Sequence, residues 1–148
     1  MSDLRELYQE VIIDHSRHPR NFGVLEKANH QAEGYNPLCG DQLKLYLEIN
    51  NDMIKAASFK GQGCAISMAS ASLLTEIILG KTMKEADEIF QKFHAMLTKN
   101  ELYISEDLGK LMVLAGVKEF PARVKCATLA WHTLQLALEN KPVIAVTE

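Results

Sequence analysis

The chain is poor in cysteine, in excess positive charge and in long apolar runs, and each shortage excludes something. Three cysteines in 148 residues, an odd number, do not make the even disulfide framework of a small secreted domain. Lysine and arginine total 16 against 19 aspartates and glutamates, a net charge of −3, which argues against nucleic acid as a partner because phosphate binding needs a concentrated basic face. No apolar run approaches the length needed to span a bilayer, and the N-terminus MSDLRELYQE, charged from its third residue, is no signal peptide. No membrane partner is expected, and the chain is expected in the cytoplasm, where thiols stay reduced. Gly61-Gln62-Gly63 lacks the third glycine of a dinucleotide fingerprint, and no Ser-His-Asp order is evident. With 47% hydrophobic residues, residues 1–148 are expected to form one domain with its own core.

The pattern of elements predicts an α+β fold. Leu4, Leu7, Tyr8, Val11 and Ile12 recur at helical spacing behind Ser2, a candidate cap, and this helix must end before Pro19. Residues 20–34, with Asn21, Gly23 and Gly34, read as loop or irregular extended chain. Leu43, Leu45, Leu47 and Ile49 alternate with Lys44, Tyr46, Glu48 and Asn50, a half-buried strand. Asn50-Asn51-Asp52 turns the chain into a returning strand over residues 53–60. Residues 64–79 form a helix ended by Gly80, and Thr82 with Glu85 makes a capping box for another, running to about Thr98. A shorter helix is expected from near Ser105 to Leu114, and a last one from Pro121 to Glu139. Strands followed by helices imply a small antiparallel sheet, about three strands, with helices packed on one face.

Each cysteine sits where a turn meets a regular element. Cys39 opens Cys39-Gly40-Asp41, Cys64 follows Gly63, and Cys126 lies five residues after Pro121 with Lys125 beside it. A helix start favours the thiolate, the form that binds metal and attacks sulfur. Taken alone, each cysteine reads as a small buried hydrophobe, and the spacing is no Cys-x-x-Cys knuckle. Together with the Asp41 carboxylate they supply four donors of the kind zinc accepts, the carboxylate being the weakest soft-metal ligand and so the easiest to exchange.

The remaining polar residues have plainer readings. His15 and His18, with Arg17 and Arg20, complement the dipole at the end of the first helix. His132 lies nearly two turns beyond Cys126 and projects elsewhere, while His30 and His94 have no nearby constellation. Met68, Met83 and Trp131 read as packing residues. Arg123 and Lys125 read equally as a solvated helix start or as cations that lower a thiol pKa and attract anionic sulfur.

Four segments together carry a resemblance: DHSRHPRNFG at 14–23, NPLCGD at 36–41, GQGCAISMASAS at 61–72 and VKCATLAW at 124–131. In this order they resemble the IscU/SufU iron–sulfur cluster assembly proteins, related to the NifU N-terminal domain. Two features are similar to the SufU branch: Lys125 stands where the general scaffolds carry histidine, and residues 90–116 add helical sequence. The resemblance implies an IscU-like fold with Cys39, Asp41, Cys64 and Cys126 as metal ligands, Zn2+ as the metal and Cys39 as persulfide acceptor. It implies as partners a pyridoxal-phosphate cysteine desulfurase of the SufS type and downstream iron–sulfur assembly proteins. The function implied is that of a zinc-dependent sulfurtransferase, with cysteine desulfurase as sulfur donor. The alternative is a scaffold on which a transient [2Fe–2S] cluster, or iron, occupies the same residues before transfer to apo-proteins.

Overall fold

The computed structural model describes residues 2–99, 106–141 and 143–147. Helix α1 (Ser2–Arg17) leads to strands β1 (His30–Asn36), β2 (Asp41–Asn50) and β3 (Met53–Gln62). Helices α2 (Ala65–Ile77) and α3 (Met83–Thr98), a 3-10 stretch (Glu106–Glu119), helix α4 (Pro121–Glu139) and strand β4 (Ile144–Val146) follow. The sheet order is β3-β2-β1-β4, antiparallel except for β4, which lies parallel to β1. The α+β architecture agrees with the sequence. The strand count does not, for the described residues form four strands where about three are expected.

The differences have local causes. Residues 30–34, expected as loop, belong to β1, whose alternation of exposed Gln31, Glu33 and Tyr35 with buried Ala32, Gly34 and Asn36 hides behind small and polar inward residues. Strand β4 has only three residues, too few for a period to register. The helix expected to end at Leu114 is a 3-10 stretch kinked at Gly109 (φ 48°) that continues to Glu119; Ser105, its expected start, lies outside the described residues. The capping box is present, Glu85 N–H donating to Thr82 Oγ1 and Thr82 N–H to Glu85 Oε1. Gly80 adopts φ +81° just past α2, as expected of a helix-stopping glycine. Among the described residues no helix is long and apolar enough to cross a membrane.

The core lies between the sheet and the helices. Leu43, Leu45 and Leu47 of β2 and Phe59 of β3 meet Leu73 and Leu74 of α2 and Leu129, Trp131 and Leu134 of α4, all buried. Helix α4 approaches β1 closely at Gly34, where a Cβ would stand 2.1 Å from Thr133 Oγ1 and 3.1 Å from Leu129 Cδ1. Thr133 Oγ1 cannot easily turn away, since it donates to Leu129 O at 2.8 Å in a fully buried position.

Two histidines are built into the packing. His15 is no exposed cation at the end of α1: it is 2% exposed, and its Nδ1 bonds Ser72 Oγ at 2.7 Å. Burial, then the nearby Arg20, lowers its pKa. His132 does project away from the cysteines, as expected, but His94 is not solitary. Phe90, His94 and His132 form an edge-to-face cluster on the α3–α4 seam, and Phe90 stacks on Trp131. Burial, then His94, lowers the His132 pKa.

Two predictions follow from this packing. Gly34→Ala is expected to destabilise the fold by about 1–3 kcal/mol through overpacking, read as a lower melting temperature in circular dichroism, and Gly34→Val by more. A histidine with a depressed folded-state pKa binds its proton more tightly unfolded, so its stabilisation is complete above about pH 6.5 and is lost as pH falls below it. The melting temperature should therefore fall between pH 7.5 and 5.5, and His132→Phe, which keeps a ring and removes the titration, should make that fall shallower.

Candidate functional site

The end of the sheet beside the β1–β2 turn gathers the cysteines. Asn36 and Asp41 are the last paired residues of the two strands, and residues 37–40 form the loop between them. Gly40 takes φ +71°, so the loop can turn tightly while presenting Cys39, half-buried, at its tip. Leu38 next to it is 63% exposed. Cys64 is the N-cap of α2, its sulfur accepting from Ser67 N–H at 3.5 Å. Cys126 projects from the second turn of α4 and is fully buried.

Cys39, Asp41 and Cys126 converge, their ligand atoms all within 4.8 Å of one another. The Cys126 and Cys39 sulfurs are 3.0 Å apart, beyond the about 2.0 Å of a disulfide, and both thiols are free. The Cys64 sulfur is not in this group of three. The Cys64 backbone already belongs to the site, because its N–H donates to Asp41 Oδ1 at 2.9 Å.

The two facing thiols differ sharply in burial. Burial drives the Cys126 pKa far up, with further increments from hydrogen bonding to Cys39, Asp41 and Cys64. Arg123, exposed on the first turn of α4, brings Nη1 to 3.8 Å from the Cys39 sulfur. Hydrogen bonding to Cys126, with the electrostatic influence of the nearby sulfurs, raises the Arg123 pKa. Of the two basic residues beside Cys126, Arg123 is therefore the one that reaches the Cys39 sulfur. The contribution seen from Lys125 is its carbonyl, which accepts from Thr147 Oγ1 at 3.2 Å and ties the end of β4 to α4.

The donor set suits a metal ion. Asp41 is a carboxylate with no exposed surface, and among the described residues no lysine or arginine is paired with it. Space has been kept for it: a Cβ on Gly63 would stand 2.5 Å from Asp41 Oδ1. Two thiols and a carboxylate match the ligand preferences of zinc. Coordination would also release the Cys126 proton, because only the thiolate binds.

One residue escaped the sequence reading. Asn36, fully buried, donates from Nδ2 to Asp41 Oδ2 at 3.1 Å and to the Cys126 sulfur at 3.5 Å. Its Oδ1 accepts from Leu38 N–H at 3.3 Å. The Asn-Pro start of NPLCGD signals only a turn; the second use of the side chain depends on α4, 90 residues away.

Comparison with known proteins agrees with this geometry. Residues 7–140 match the NifU-like N-terminal domain family. The chain is 43% identical over 134 residues to the zinc-dependent sulfurtransferase SufU of Bacillus subtilis, covering 90% of each chain. It is 38% identical over 140 residues to the iron–sulfur cluster assembly scaffold protein IscU of Streptococcus pyogenes, covering 95% of this chain and 87% of that one. The crystal structure of FiSufU from Fervidobacterium islandicum AW-1 superimposes with a TM-score of 0.84 at 39% identity, over 90% of this chain and 98% of that one. The NifU-like protein of Brucella abortus shares the fold, with a TM-score of 0.83 at 18% identity over 91% and 94% of the two chains. The chain belongs to the NifU-like N-terminal domain family, within its SufU and IscU iron–sulfur cluster assembly proteins.

Proposed function

We propose that this protein is a zinc-dependent sulfurtransferase of iron–sulfur cluster assembly. It works in the cytoplasm as one unit over residues 1–148 and takes sulfur from a SufS-type cysteine desulfurase at Cys39. The observation that carries this reading is the asymmetry of the two facing sulfurs. Cys39 stands half-buried on a loop with Arg123 beside it, while Cys126, 3.0 Å away, is fully buried. The 43% identity to a zinc-dependent sulfurtransferase supports it.

In this reading Cys39, Asp41, Cys64 and Cys126 would hold zinc, which when bound would keep sulfur in the thiolate form and shield it from oxidation. The Cys39 thiolate attacks the outer sulfur of the desulfurase persulfide. A new sulfur–sulfur bond forms at Cys39 as the old one breaks, and the desulfurase thiolate leaves with the electron pair. No oxidant is needed, and Arg123 faces the anionic sulfur throughout. Buried Asp41 and Cys126 stay in place while the loop around Gly40 moves.

A scaffold role is the second reading, favoured by the 38% identity to an IscU scaffold protein and by the non-sulfur donor Asp41, which completes a four-ligand set without histidine. Elemental analysis of the purified protein separates the two. One zinc per chain agrees with sulfur transfer, and iron with acid-labile sulfide agrees with the scaffold.

Cys39→Ala is expected to abolish stimulation of desulfurase turnover, measured as alanine formed from cysteine with and without the protein. Stimulation equal to that of the parent chain would remove Cys39 from the role of acceptor. Zinc removal should lower the melting temperature, since a ligand held only by the native state stabilises it by about 3 kcal/mol when free ligand stands about 100-fold above Kd. Asp41→Ala should lose zinc faster to a chelator, and its melting temperature should depend less on zinc.

A further inference from the structure

We infer that Asn36 is a positioning residue that sets the metal affinity of the site, orienting Asp41 and Cys126 through its amide while holding the Cys39 loop through its carbonyl. This rests on the proposed zinc site and adds to it a residue outside the ligand set.

The geometry is unusually complete for one short side chain. Asn36 has no exposed surface, so each of its polar atoms needs a partner within the protein. Nδ2 reaches Asp41 Oδ2 at 3.1 Å and the Cys126 sulfur at 3.5 Å, and Oδ1 accepts from Leu38 N–H at 3.3 Å. Asn36 thus touches two of the proposed ligands directly and governs a third through the residue before Cys39. Asn36 and Asp41 are also cross-strand partners, so one pair closes the hairpin and orients the carboxylate. Cys64 N–H holds the other oxygen, Oδ1. Both oxygens of Asp41 are fixed in direction, and each retains a lone pair.

The chemistry of an amide is what this position requires. Lysine or arginine would pair with Asp41 and cancel the negative charge that draws a cation. A carboxylate would add repulsion against Asp41 and compete as a ligand. Leucine would leave Asp41 Oδ2 buried without a donor. A neutral donor orients both groups and leaves their charge available, as hydrogen bonding around first ligands does in metal sites.

The test compares the parent chain, Asp41→Ala, Asn36→Ala and Asn36→Ser. Serine retains a hydroxyl that accepts from Leu38 N–H but is too short to bridge Asp41 and Cys126. Zinc affinity is measured by competition with a chromophoric chelator, and ligand geometry by the visible absorption of the cobalt-substituted proteins. Asn36→Ser and Asn36→Ala are expected to weaken zinc binding by about 10–100-fold and to shift the cobalt bands, changes that a merely structural role would not produce. In the parent chain the Asn36 side-chain amide resonances should move in a 15N spectrum on zinc addition. Zinc affinity within about twofold of the parent with unchanged cobalt bands would overturn the assignment, leaving Asn36 only a hairpin clasp. Static amide resonances would overturn it even if neither variant folds. A parent chain that binds no zinc would instead defeat the proposed function, and this inference with it. That failure shows before any variant is made.

Discussion

A carboxylate with no access to water has to be satisfied from within the fold, and Asp41 is satisfied by two N–H donors from two different elements. Unpaired, a buried charge of this kind costs several kcal/mol. Two hydrogen bonds offset part of that cost and leave the negative charge uncancelled. The rest of the site is arranged around this demand. The β1–β2 hairpin closes at the Asn36–Asp41 pair, α2 begins where Cys64 N–H can reach Oδ1, and Gly63 lacks the Cβ that would displace it. One of the two donors to Asp41 is thus backbone, fixed as soon as strand and helix form.

Helix α4 is the second constraint. It packs against β1 through the bare backbone of Gly34, and that close approach sets the depth of Cys126 behind the Cys39 loop. The sulfur that faces solvent and the sulfur that does not therefore come from elements of unlike mobility: a four-residue loop and the interior of a packed helix. The proposed retention and release of a ligand would gain from that inequality. Asp41 and Cys126 move only if the core moves, whereas Cys39 needs rotation only in a loop that contains a glycine at positive φ.

Much of this was legible in the sequence because local rules and global fold agree. The Thr82 and Glu85 capping box, proline at the start of α4, glycine after α2 and the alternation of β2 each predict what forms. Strand β1 was not legible because its inward residues are Ala32, Gly34 and Asn36, which leave no hydrophobic alternation. They are small because α4 presses on them, a fact of tertiary packing. The grouping of Cys39, Asp41 and Cys126 was suggested by their placement at turns and helix starts and by motif resemblance, since the intervals between them carry no spacing rule. Asn36 was invisible for a further reason: an asparagine before proline already has a local explanation as a turn former, and that explanation is true but incomplete. His15 misled in the same way, a histidine near a helix end whose position suits the dipole but whose ring is bonded to Ser72 inside the protein.

The unequal burial of the facing thiols links packing to chemistry. Cys126 loses water on every side, so its neutral form is favoured until a cation replaces the proton. Cys39, three ångströms away, keeps contact with solvent and with Arg123. Two identical side chains are thereby given unlike surroundings, one enclosed and one open to solvent. In the proposed sulfur-transfer reading, an exposed pair would lose the retained ligand to competition by water, and a buried pair would deny a partner's persulfide access. The boundary between core and surface at the end of this sheet runs between the two sulfurs, which is where the proposed role would need it.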